Sequence, residues 1–347
     1  MSALRPVLER LLERQHLSEV EAFDLLHALT SAELAPAMGG ALLAALRAKG
    51  VTPEELRGFA SAMRKLSRRP VLADGSPLVD MVGTGGDASG SLNLSTGAAL
   101  LVAGMGVRVA KHGTSSVSSR SGSADVIRAL GIPLPLDEHA AGACLAATGF
   151  TFLFAPHYHP AMKAIMPVRQ ALGVRTVFNI LGPLSNPAEP PFHLIGAFNE
   201  STAALMADAL SGMPLERAFV VHGDPGWDEA TPVGPFVLFD VRQGAVTRYV
   251  RDPQEFGISR CQAEDLKGGD AAYNAMRMRA ALRGEEHGPH RHALVLQAAL
   301  VLELMGIETS SQAAARRAAQ AIDNGNVARV LERLDAFSAA HQPLATS

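Results

Sequence analysis

The stretch DMVGTGGDASGSLNLST, residues 80–96, places glycines at 83, 85, 86 and 90 around the carboxylate of Asp87. It follows the apolar residues Leu78 and Val79 and leads into the apolar run AALLVAGM, so it predicts a strand, a glycine-rich turn and the start of a helix. That order opens a βαβ unit and indicates an α/β fold with a mostly parallel sheet. Backbone NH groups of such a turn favour an anion, so the acidic residue within it needs an explanation.

Composition and charge exclude several broad classes of protein. The chain has 347 residues, 48% of them hydrophobic, which allows one large or two smaller globular domains. Its 31 Lys and Arg residues against 34 Asp and Glu give a net charge of -3, which argues against binding nucleic acid through bulk charge. Two cysteines, Cys144 and Cys261, lack metal-site spacing and cannot form a disulfide framework. We therefore expect a protein of the reducing cytoplasm.

No targeting or membrane segment is predicted from the sequence. Residues 1–19 carry charges throughout and lack the apolar segment of a signal peptide. The longest apolar run, ALVLQAALVLELMG at residues 293–306, is well short of the roughly 20 residues that span a bilayer. We predict that this run forms a buried helix.

Two kinds of sequence pattern indicate two domains. Residues 1 to about 70 predict helices only, with capping boxes at Ser18 and Glu21 and at Thr52 and Glu55. The Pro- and Gly-containing segment SRRPVLADGSP, residues 67–77, predicts a linker. We expect a helical domain before a boundary near residues 70–77 and an α/β domain after it.

Beyond the linker, short β-rich runs alternate with helical patterns. The predicted strands are LVDMV (78–82), VRVAK (107–111), FTFLFA (150–155), FHLIGAF (192–198) and RAFVVHG (217–223), followed by the hairpin FVLFDVRQGAVTRYV (236–250). The predicted helices are STGAALLVAGM (95–105), GSADVIRAL (122–130), EHAAGACLAAT (138–148) and STAALMADAL (201–210), besides the buried run above. Polar loops follow four strands, at residues 83–90, 112–125, 156–160 and 224–235. Since ligands bind beyond the carboxyl ends of parallel strands, we expect these loops to form one cleft.

The glycine turn does not satisfy two common phosphate motifs. Residues 83–88 match the dinucleotide pattern GxGxxA, but the next strand ends in Lys111 and His112 where that site needs an acid. A Walker loop needs Lys after its last glycine, and here Ser91 follows Gly90. What remains is a turn whose NH groups meet a phosphorylated ligand while Asp87 accepts hydrogen bonds from sugar hydroxyls or acts through a metal. The acid thus indicates a sugar phosphate.

Three further stretches have both a functional and an ordinary interpretation. NLST, residues 93–96, offers an anion site at a helix N-terminus or ordinary capping. KHGTSSVSSRSGS, residues 111–123, has the composition to wrap a diphosphate, or forms a flexible surface linker. Asp228 and Glu229 are candidate Mg²⁺ ligands in a Gly- and Pro-flanked loop, or simply solvated acids.

The basic and histidine-containing stretches are weaker signals. Arg169, on a predicted helix, suits a substrate carboxylate or a polar helix face equally well. The histidine-rich stretches at 157–159 and 287–292 lack the Cys or acidic ligands that would support zinc. For 287–292 we expect a surface turn before a helix.

Taken together, these motifs resemble the anthranilate phosphoribosyltransferases, of the nucleoside phosphorylase-like phosphoribosyltransferase family. The segments DMVGTGGD, NLST, VAKHG, SVSSRSGSAD, HPAMK, PVRQALGVRTVFNILGPLSNP and DE occur in the family's order and extend the resemblance to about residue 330. The resemblance implies a small helical domain, 1–75 completed by helices near 160–185, beside a larger α/β domain formed by 76–159 and 186–347. A homodimer through the helical domain and a site at the hinge between the domains are also implied. It also implies 5-phospho-α-D-ribosyl 1-diphosphate and anthranilate as substrates, with Mg²⁺.

The family's functional residues carry over position by position. The resemblance assigns phosphoribosyl diphosphate to Gly83, Gly86, Asp87, Ser91, Asn93, Ser95, Thr96, Lys111, Ser119 and Ser123. It assigns Mg²⁺ to Ser95, Asp228 and Glu229, and the anthranilate carboxylate to Arg169. The walls of the acceptor path are then Gly83, Ala155, Pro156 and His159. Lys111, Asp87 and Arg169 are the residues expected to carry catalysis, with Lys111 and Mg²⁺ stabilising charge on the leaving diphosphate.

One position departs from the family pattern. The family has KHGN, with the Asn contacting anthranilate, whereas this chain has KHGT with Thr114, and Ser115 and Ser116 follow in place of the family's RS. A hydroxyl is shorter than an amide and lacks its paired donor and acceptor. Two alternatives therefore stay open: a related enzyme that acts on another aromatic or heterocyclic acceptor, and a non-catalytic homologue that binds nucleic acid.

Overall fold

The computed structural model describes residues 4–115 and 120–341. Seven strands form one sheet, and their bounds are β1 Leu78–Gly83, β2 Arg108–Gly113, β3 Phe150–Phe154, β4 Phe192–Gly196, β5 Arg217–Gly223, β6 Phe236–Arg242 and β7 Ala245–Arg251. Their order is β3-β2-β1-β4-β5-β6-β7. The first five pair in parallel, and β6 and β7 add an antiparallel hairpin. The predicted strands, hairpin and mostly parallel sheet are confirmed.

Helices cover both faces of this sheet and form the N-terminal bundle. The α-helices are α1 Leu4–Leu12, α2 Glu19–Leu29, α3 Pro36–Lys49, α4 Pro53–Leu66, α5 Leu94–Gly104, α6 Ser123–Ala129, α7 Glu138–Thr148, α8 Ala155–Tyr158, α9 Met166–Leu172, α10 Phe178–Leu181, α11 Glu200–Ser211, α12 Ala271–Leu282, α13 Pro289–Leu304, α14 Ser311–Asp323 and α15 Asn326–Ala340. Four 3₁₀ turns lie at Pro160–Lys163, Gly182–Leu184, Pro253–Phe256 and Ala263–Leu266. No helix among the described residues is long and apolar enough to cross a bilayer.

Local sequence signals explain where several helices begin. Ser18 and Thr52 cap α2 and α4, and in each case the glutamate three residues later bonds back to the cap. Both predicted capping boxes are therefore confirmed. The apolar run that predicts a buried helix lies in α13, and its residues 293–302 are all buried. His290 and Arg291 are also buried in this helix, so the surface turn expected for 287–292 ends before them.

The alternation of side chains along β5 divides the core in two. Phe219 and Val221 pack into a core with β1–β3, α5–α7 and α12–α15. Ala218 and Val220 point the other way, into a core that combines the N-terminal helices with α11. The helical bundle therefore shares its core with one face of the sheet. The domain boundaries proposed from the sequence stay a prediction.

The connection between bundle and sheet is anchored along its length. The backbone NH of Arg68 donates to the Tyr158 carbonyl (2.8 Å), and that of Val71 donates to the Glu138 carbonyl (2.9 Å). Gly142 on α7 lies so close to the Val71 carbonyl oxygen that a Cβ there would collide with it. The segment predicted as a linker is thus pinned against α7 and α8.

Candidate active site

The glycine turn after β1 uses left-handed backbone angles, which glycine adopts readily. Gly85, Gly86 and Gly90 have φ of 71°, 75° and 62°, in the left-handed region that glycine adopts without strain. Within the turn, Asp87 Oδ1 accepts from the backbone NH and the hydroxyl of Ser89 at 3.1 and 3.0 Å. Its Oδ2 accepts from the Asp228 NH at 3.3 Å. These bonds tie the turn to the loop that follows β5.

That loop carries the two predicted metal ligands across the ends of three strands. A Cβ at Gly83, Gly196 or Gly223, which end β1, β4 and β5, would collide with Asp228 or Glu229. The strand order reverses between β1 and β4, and such a switch point is where open parallel sheets bind ligands. The loop therefore places both carboxylates at that point.

Each carboxylate is held by a donor from another element. The Gly85 NH donates to Asp228 Oδ2 at 2.6 Å. The Ser95 NH, in the first turn of α5, donates to Glu229 Oε1 at 3.2 Å, and Gln297 of α13 donates to Oε2. Lys111, at 1% exposure, donates through Nζ to Ser95 Oγ (3.2 Å) and to the Met81 carbonyl. Asp87, Ser95, Lys111, Asp228 and Glu229 thus converge.

Negative charge accumulates in this cluster. Burial, followed by repulsion from Asp87 and Glu229, holds the pKa of Asp228 well above its ordinary value. Burial raises the pKa of Glu229 to about 7, against the opposing effects of the Gln297 amide and Lys111. Burial lowers the pKa of Lys111, and Asp80, Glu229 and Asp228 counteract it. A cation bound here would relieve the repulsion between these acids.

The donor set fits Mg²⁺ better than it fits a transition metal. Among the described residues, no three His, Cys, Asp or Glu side chains are arranged to hold a metal by themselves. Mg²⁺ does not require such a cage, because it takes one or two carboxylates and fills its remaining positions with water and substrate phosphates. Asp228, Glu229 and the Ser95 hydroxyl supply oxygen donors of that type.

The other predicted donor-binding residues lie around this cluster. Asn93 Nδ2 donates to the Ser121 carbonyl at 3.2 Å, and its Oδ1 accepts from Asn274 of α12 at 2.9 Å. Ser91 contacts Ser89 hydroxyl to hydroxyl at 3.1 Å, and Ser123 donates to the Thr114 carbonyl at 3.3 Å. Gly86 is exposed, whereas Thr96 is fully buried. Ser119 lies outside the described residues.

The predicted acceptor path adjoins Lys111 through His112. Ala155 and Pro156 open α8, directly after β3. The rings of His159 and His112 meet edge to face, with their centroids 5.0 Å apart. Burial lowers the pKa of His159 to about 4 and that of His112 to about 3, so both rings are neutral near pH 7. Thr114 is exposed at the end of β2.

Arg169, on α9, takes no part in the hydrogen bonds described above for Asp87, Ser95, Lys111, Asp228 and Glu229. Its guanidinium lies over the Phe178 ring, 5.0 Å from the centroid, and contacts the Met166 sulfur at 3.5 Å. None of the ion pairs between described residues includes Arg169, and burial lowers its pKa. A half-buried guanidinium without an acidic partner suits an anionic ligand. Six residues on, Arg175 stacks on Phe198 at 4.0 Å and donates to the Gly86 carbonyl, which links this segment to the glycine turn.

Several residues that support the site were not predicted from the sequence. Asp80, Asn186, Arg175, Asn274 and Gln297 hold predicted site residues or the strands beneath them. Asp80 and Gln297 gave a usable signal, because each is a polar residue within an apolar stretch.

A cavity of about 530 Å³ lies elsewhere, at the C-terminal end of α5, lined by residues 103–106 and by Asn326, Arg329, Glu332 and Arg333 of α15. The site lies at the opposite end of α5, so this cavity is not part of it.

Comparison with protein-family models defines the class. Residues 5–67 match the glycosyl transferase family, helical bundle domain, and residues 75–328 match the glycosyl transferase family, a/b domain. The anthranilate phosphoribosyltransferase of Desulforudis audaxviator is 44% identical over 96% of this chain and 96% of its own. That of Chloroflexus aurantiacus is 41% identical over 96% and 97%. The chain therefore belongs to the anthranilate phosphoribosyltransferase family.

Solved structures agree with this assignment. The anthranilate phosphoribosyltransferase of Thermus thermophilus superposes with a TM-score of 0.89 at 41% identity, covering 96% of this chain and 99% of that one. The Saccharomyces cerevisiae enzyme in complex with PRPP and Mg also gives 0.89, at 25% identity, covering 98% and 99%. The predicted combination of a helical domain with a larger α/β domain is confirmed.

Proposed function

We propose that the protein transfers the phosphoribosyl group from 5-phospho-α-D-ribosyl 1-diphosphate to anthranilate, a step of tryptophan biosynthesis. The observation that carries the proposal is the convergence of Asp87, Ser95, Lys111, Asp228 and Glu229 at the switch point of the sheet. It joins a glycine turn, a buried ammonium and a pair of carboxylates. The matched relatives support the same activity.

The chemistry is a displacement at C1 of the ribose. The C1–O bond to diphosphate breaks, a bond from C1 to the amine nitrogen forms, and the nitrogen then loses a proton. Because an aniline-type amine is neutral near pH 7, no strong base is needed before attack. Burial raises the pKa of the Cys144 thiol to about 12 and that of Cys261 to about 11, so neither supplies a thiolate nucleophile.

Some of these residues stabilise charge on the leaving group, and others position the two substrates. Lys111 and the NH groups of the glycine turn stabilise the charge that develops on the leaving diphosphate. Asp87 accepts from the ribosyl hydroxyls, which explains an acid within a phosphate turn. Arg169 holds the acceptor carboxylate, and Ala155, Pro156 and His159 line its path. Mg²⁺, held by Ser95, Asp228 and Glu229, would neutralise diphosphate oxygens when bound.

Anthranilate fluorescence tests the proposal directly. We expect the signal to fall only when phosphoribosyl diphosphate, Mg²⁺ and enzyme are all present. Arg169→Ala should raise the KM for anthranilate roughly 10- to 100-fold, the worth of a charged hydrogen bond. The exposed Arg316→Ala on α14 serves as the matched control. If calorimetry shows that the donor binds but no turnover occurs, anthranilate is not the acceptor. Other amines would then be tested, because Thr114 replaces the asparagine that contacts anthranilate in the family.

We also propose that the protein works as a cytoplasmic homodimer. Two apolar side chains of the N-terminal helices, Leu12 and Val20, are 63% and 69% exposed, which suits contact with a second copy. Light scattering should give twice the chain mass of 36.4 kDa, and Val20→Glu should lower it. A wild-type mass of one chain would contradict the dimer.

A further inference from the structure

The ladder that pairs β1 with β2 is split beside Lys111. Strands β1 and β2 pair in register only at Leu78 with Arg108 and at Val79 with Val109. On the outer sides pairing continues, to Gly83 with Gly196 between β1 and β4, and to Gly113 with Phe154 between β2 and β3. The ladder between the two central strands therefore stops after Val79, and the residues that follow it in both strands lead to the candidate site.

Three buried side chains bond the backbone groups that this split leaves open. Asp80 Oδ1 accepts from the His112 NH at 3.3 Å. Asn186 donates through Nδ2 to Asp80 Oδ2 and to the Ala110 carbonyl, both at 2.8 Å. Lys111 Nζ donates to the Met81 carbonyl. Asp80 and Asn186 are fully buried and Lys111 nearly so, so these bonds replace the missing ladder.

Burying these polar side chains is unfavourable if their only role is to stabilise the fold. A regular ladder packed with apolar side chains would satisfy the same backbone without burying a carboxylate and an ammonium. Burial raises the pKa of Asp80 to about 6, and Lys111 is the group that most opposes this shift. The split has a geometric result: the Lys111 ammonium lies between a β1 carbonyl and Ser95 Oγ in the first turn of α5.

We propose that Asp80 and Asn186 are positioning residues, which fix the β2 backbone on both sides of Lys111 so that Lys111 presents its ammonium beside Ser95. The inference rests on the proposed function, in which Lys111 faces the leaving diphosphate. Asp80 acts on the strand carrying Lys111 through the adjacent His112 NH, and Asn186 bridges Asp80 to the preceding residue, Ala110. Lys111 is thereby fixed from both sides.

The test compares Asp80→Asn and Asn186→Ser with wild type. An amide at 80 keeps the shape but turns a donor toward the Asn186 amide, and a single hydroxyl at 186 cannot donate to Asp80 and Ala110 together. Both variants should lower kcat roughly 10- to 100-fold, the worth of a charged hydrogen bond. The KM of each substrate should stay within about threefold, since the lost interaction strengthens in the transition state. Thr151→Val, equally buried on β3, should leave kcat unchanged.

Two readouts separate this inference from the proposed function. Crystal structures of both variants show whether Lys111 Nζ has left Ser95 Oγ, and they do so even if anthranilate is the wrong acceptor. The inference is supported if Nζ is displaced in the variants and if kcat falls with any acceptor that the wild-type enzyme uses. Nζ within hydrogen-bond distance of Ser95 in both variants, or kcat within threefold of wild type despite a lower melting temperature, overturns it. Absence of wild-type turnover counts against the proposed acceptor alone.

Discussion

Gln297 shows how a single amide in an apolar helix can serve a distant carboxylate. It is the only polar side chain in residues 293–302 of α13 and is 2% exposed. Its amide donates to Glu229 Oε2 and lies 3.4 Å from the Ala230 carbonyl oxygen. Since a buried polar group is costly unless bonded, the amide is kept for this contact, which orients Glu229 toward Ser95.

Gln297→Leu should therefore weaken the use of Mg²⁺. Leucine nearly conserves the volume but removes the donor. Among the described residues, Glu229 then keeps its bond from the Ser95 NH alone and becomes harder to ionise. We expect the Mg²⁺ concentration for half-maximal activity to rise about 10-fold, as for other residues that orient metal ligands. Activity is measured across a Mg²⁺ titration. Gln312→Leu, on an exposed position of α14, is the control, and an unchanged Mg²⁺ requirement in Gln297→Leu would refute the role.

At the scale of single residues, the sequence identifies candidate catalytic and metal-binding residues, but it does not identify their hydrogen-bond partners. Asp87, Asp228 and Glu229 stand out by type and by their place after strands, and Lys111 stands out as a charged residue at the end of an apolar strand pattern. Gln297 and Asp80 were only polar interruptions of apolar runs, because their partners Glu229 and Asn186 lie 68 and 106 residues away along the chain. Hydrogen bonds over such separations depend on the packed structure and leave no local pattern.

At the scale of elements, the loop that carries Asp228 and Glu229 packs against the ends of three strands. Gly83, Gly196 and Gly223 end β1, β4 and β5, and the loop backbone or side chains fill the space that their missing Cβ atoms leave. At Gly196 the obstructing atom is the Asp228 carbonyl oxygen, part of the backbone, so it cannot swing aside as a side-chain end could. Close approach of backbone is thus what requires glycine here.

Gly196→Ala should displace the loop and abolish most activity. An added methyl in a packed site costs about 1–3 kcal/mol of stability. A shift of the carboxylates by about 1 Å should lower kcat/KM on the order of 100-fold. Kinetics and melting temperature measure the two effects separately. Gly40→Ala in α3, where a Cβ would meet nothing closer than 3.9 Å, should keep full activity, and equal activity of both variants would contradict the argument.

The elements themselves were largely predictable, and the reason is periodicity. Strands of apolar and β-branched residues alternate with helical runs, and Ser18 and Thr52 begin their helices where the capping boxes predict. The short pairing of β1 with β2 was not predictable, because the quoted stretch has an ordinary strand pattern up to Val82. The split depends on bonds from the side chains of Lys111, on β2, and of Asn186, in the loop before β4, and neither bond leaves a signal in that stretch.

At the scale of the whole molecule, the bundle and the sheet are bound by a common core. Ile195, Val220 and Phe239, from β4, β5 and β6, are buried with the helices of the bundle. The α4 side chain of Arg64 donates through Nε to the Leu184 carbonyl at 2.9 Å. Arg47 of α3 donates to the carbonyl of Arg175, whose side chain reaches the glycine turn. The bundle therefore supports the segment that contains Arg169 as well as the sheet.

A chain lacking residues 1–67 should consequently fail to form a stable monomer, although its sequence contains every strand. Deletion would uncover apolar side chains that pack against α4, among them Phe178, Leu181 and Leu184. Each fully buried large apolar side chain contributes about 1.5–3 kcal/mol, so uncovering three costs roughly 5 kcal/mol or more, comparable to the total stability of many domains. We expect the shortened chain to bind a hydrophobic dye and to elute as aggregates in size-exclusion chromatography. The full chain cut once at a protease site inserted after Gly75 is the control, because its two pieces should stay associated through the shared core and retain activity. A shortened chain that is monodisperse and unfolds in one sharp transition would show that the α/β part needs no cover from the bundle.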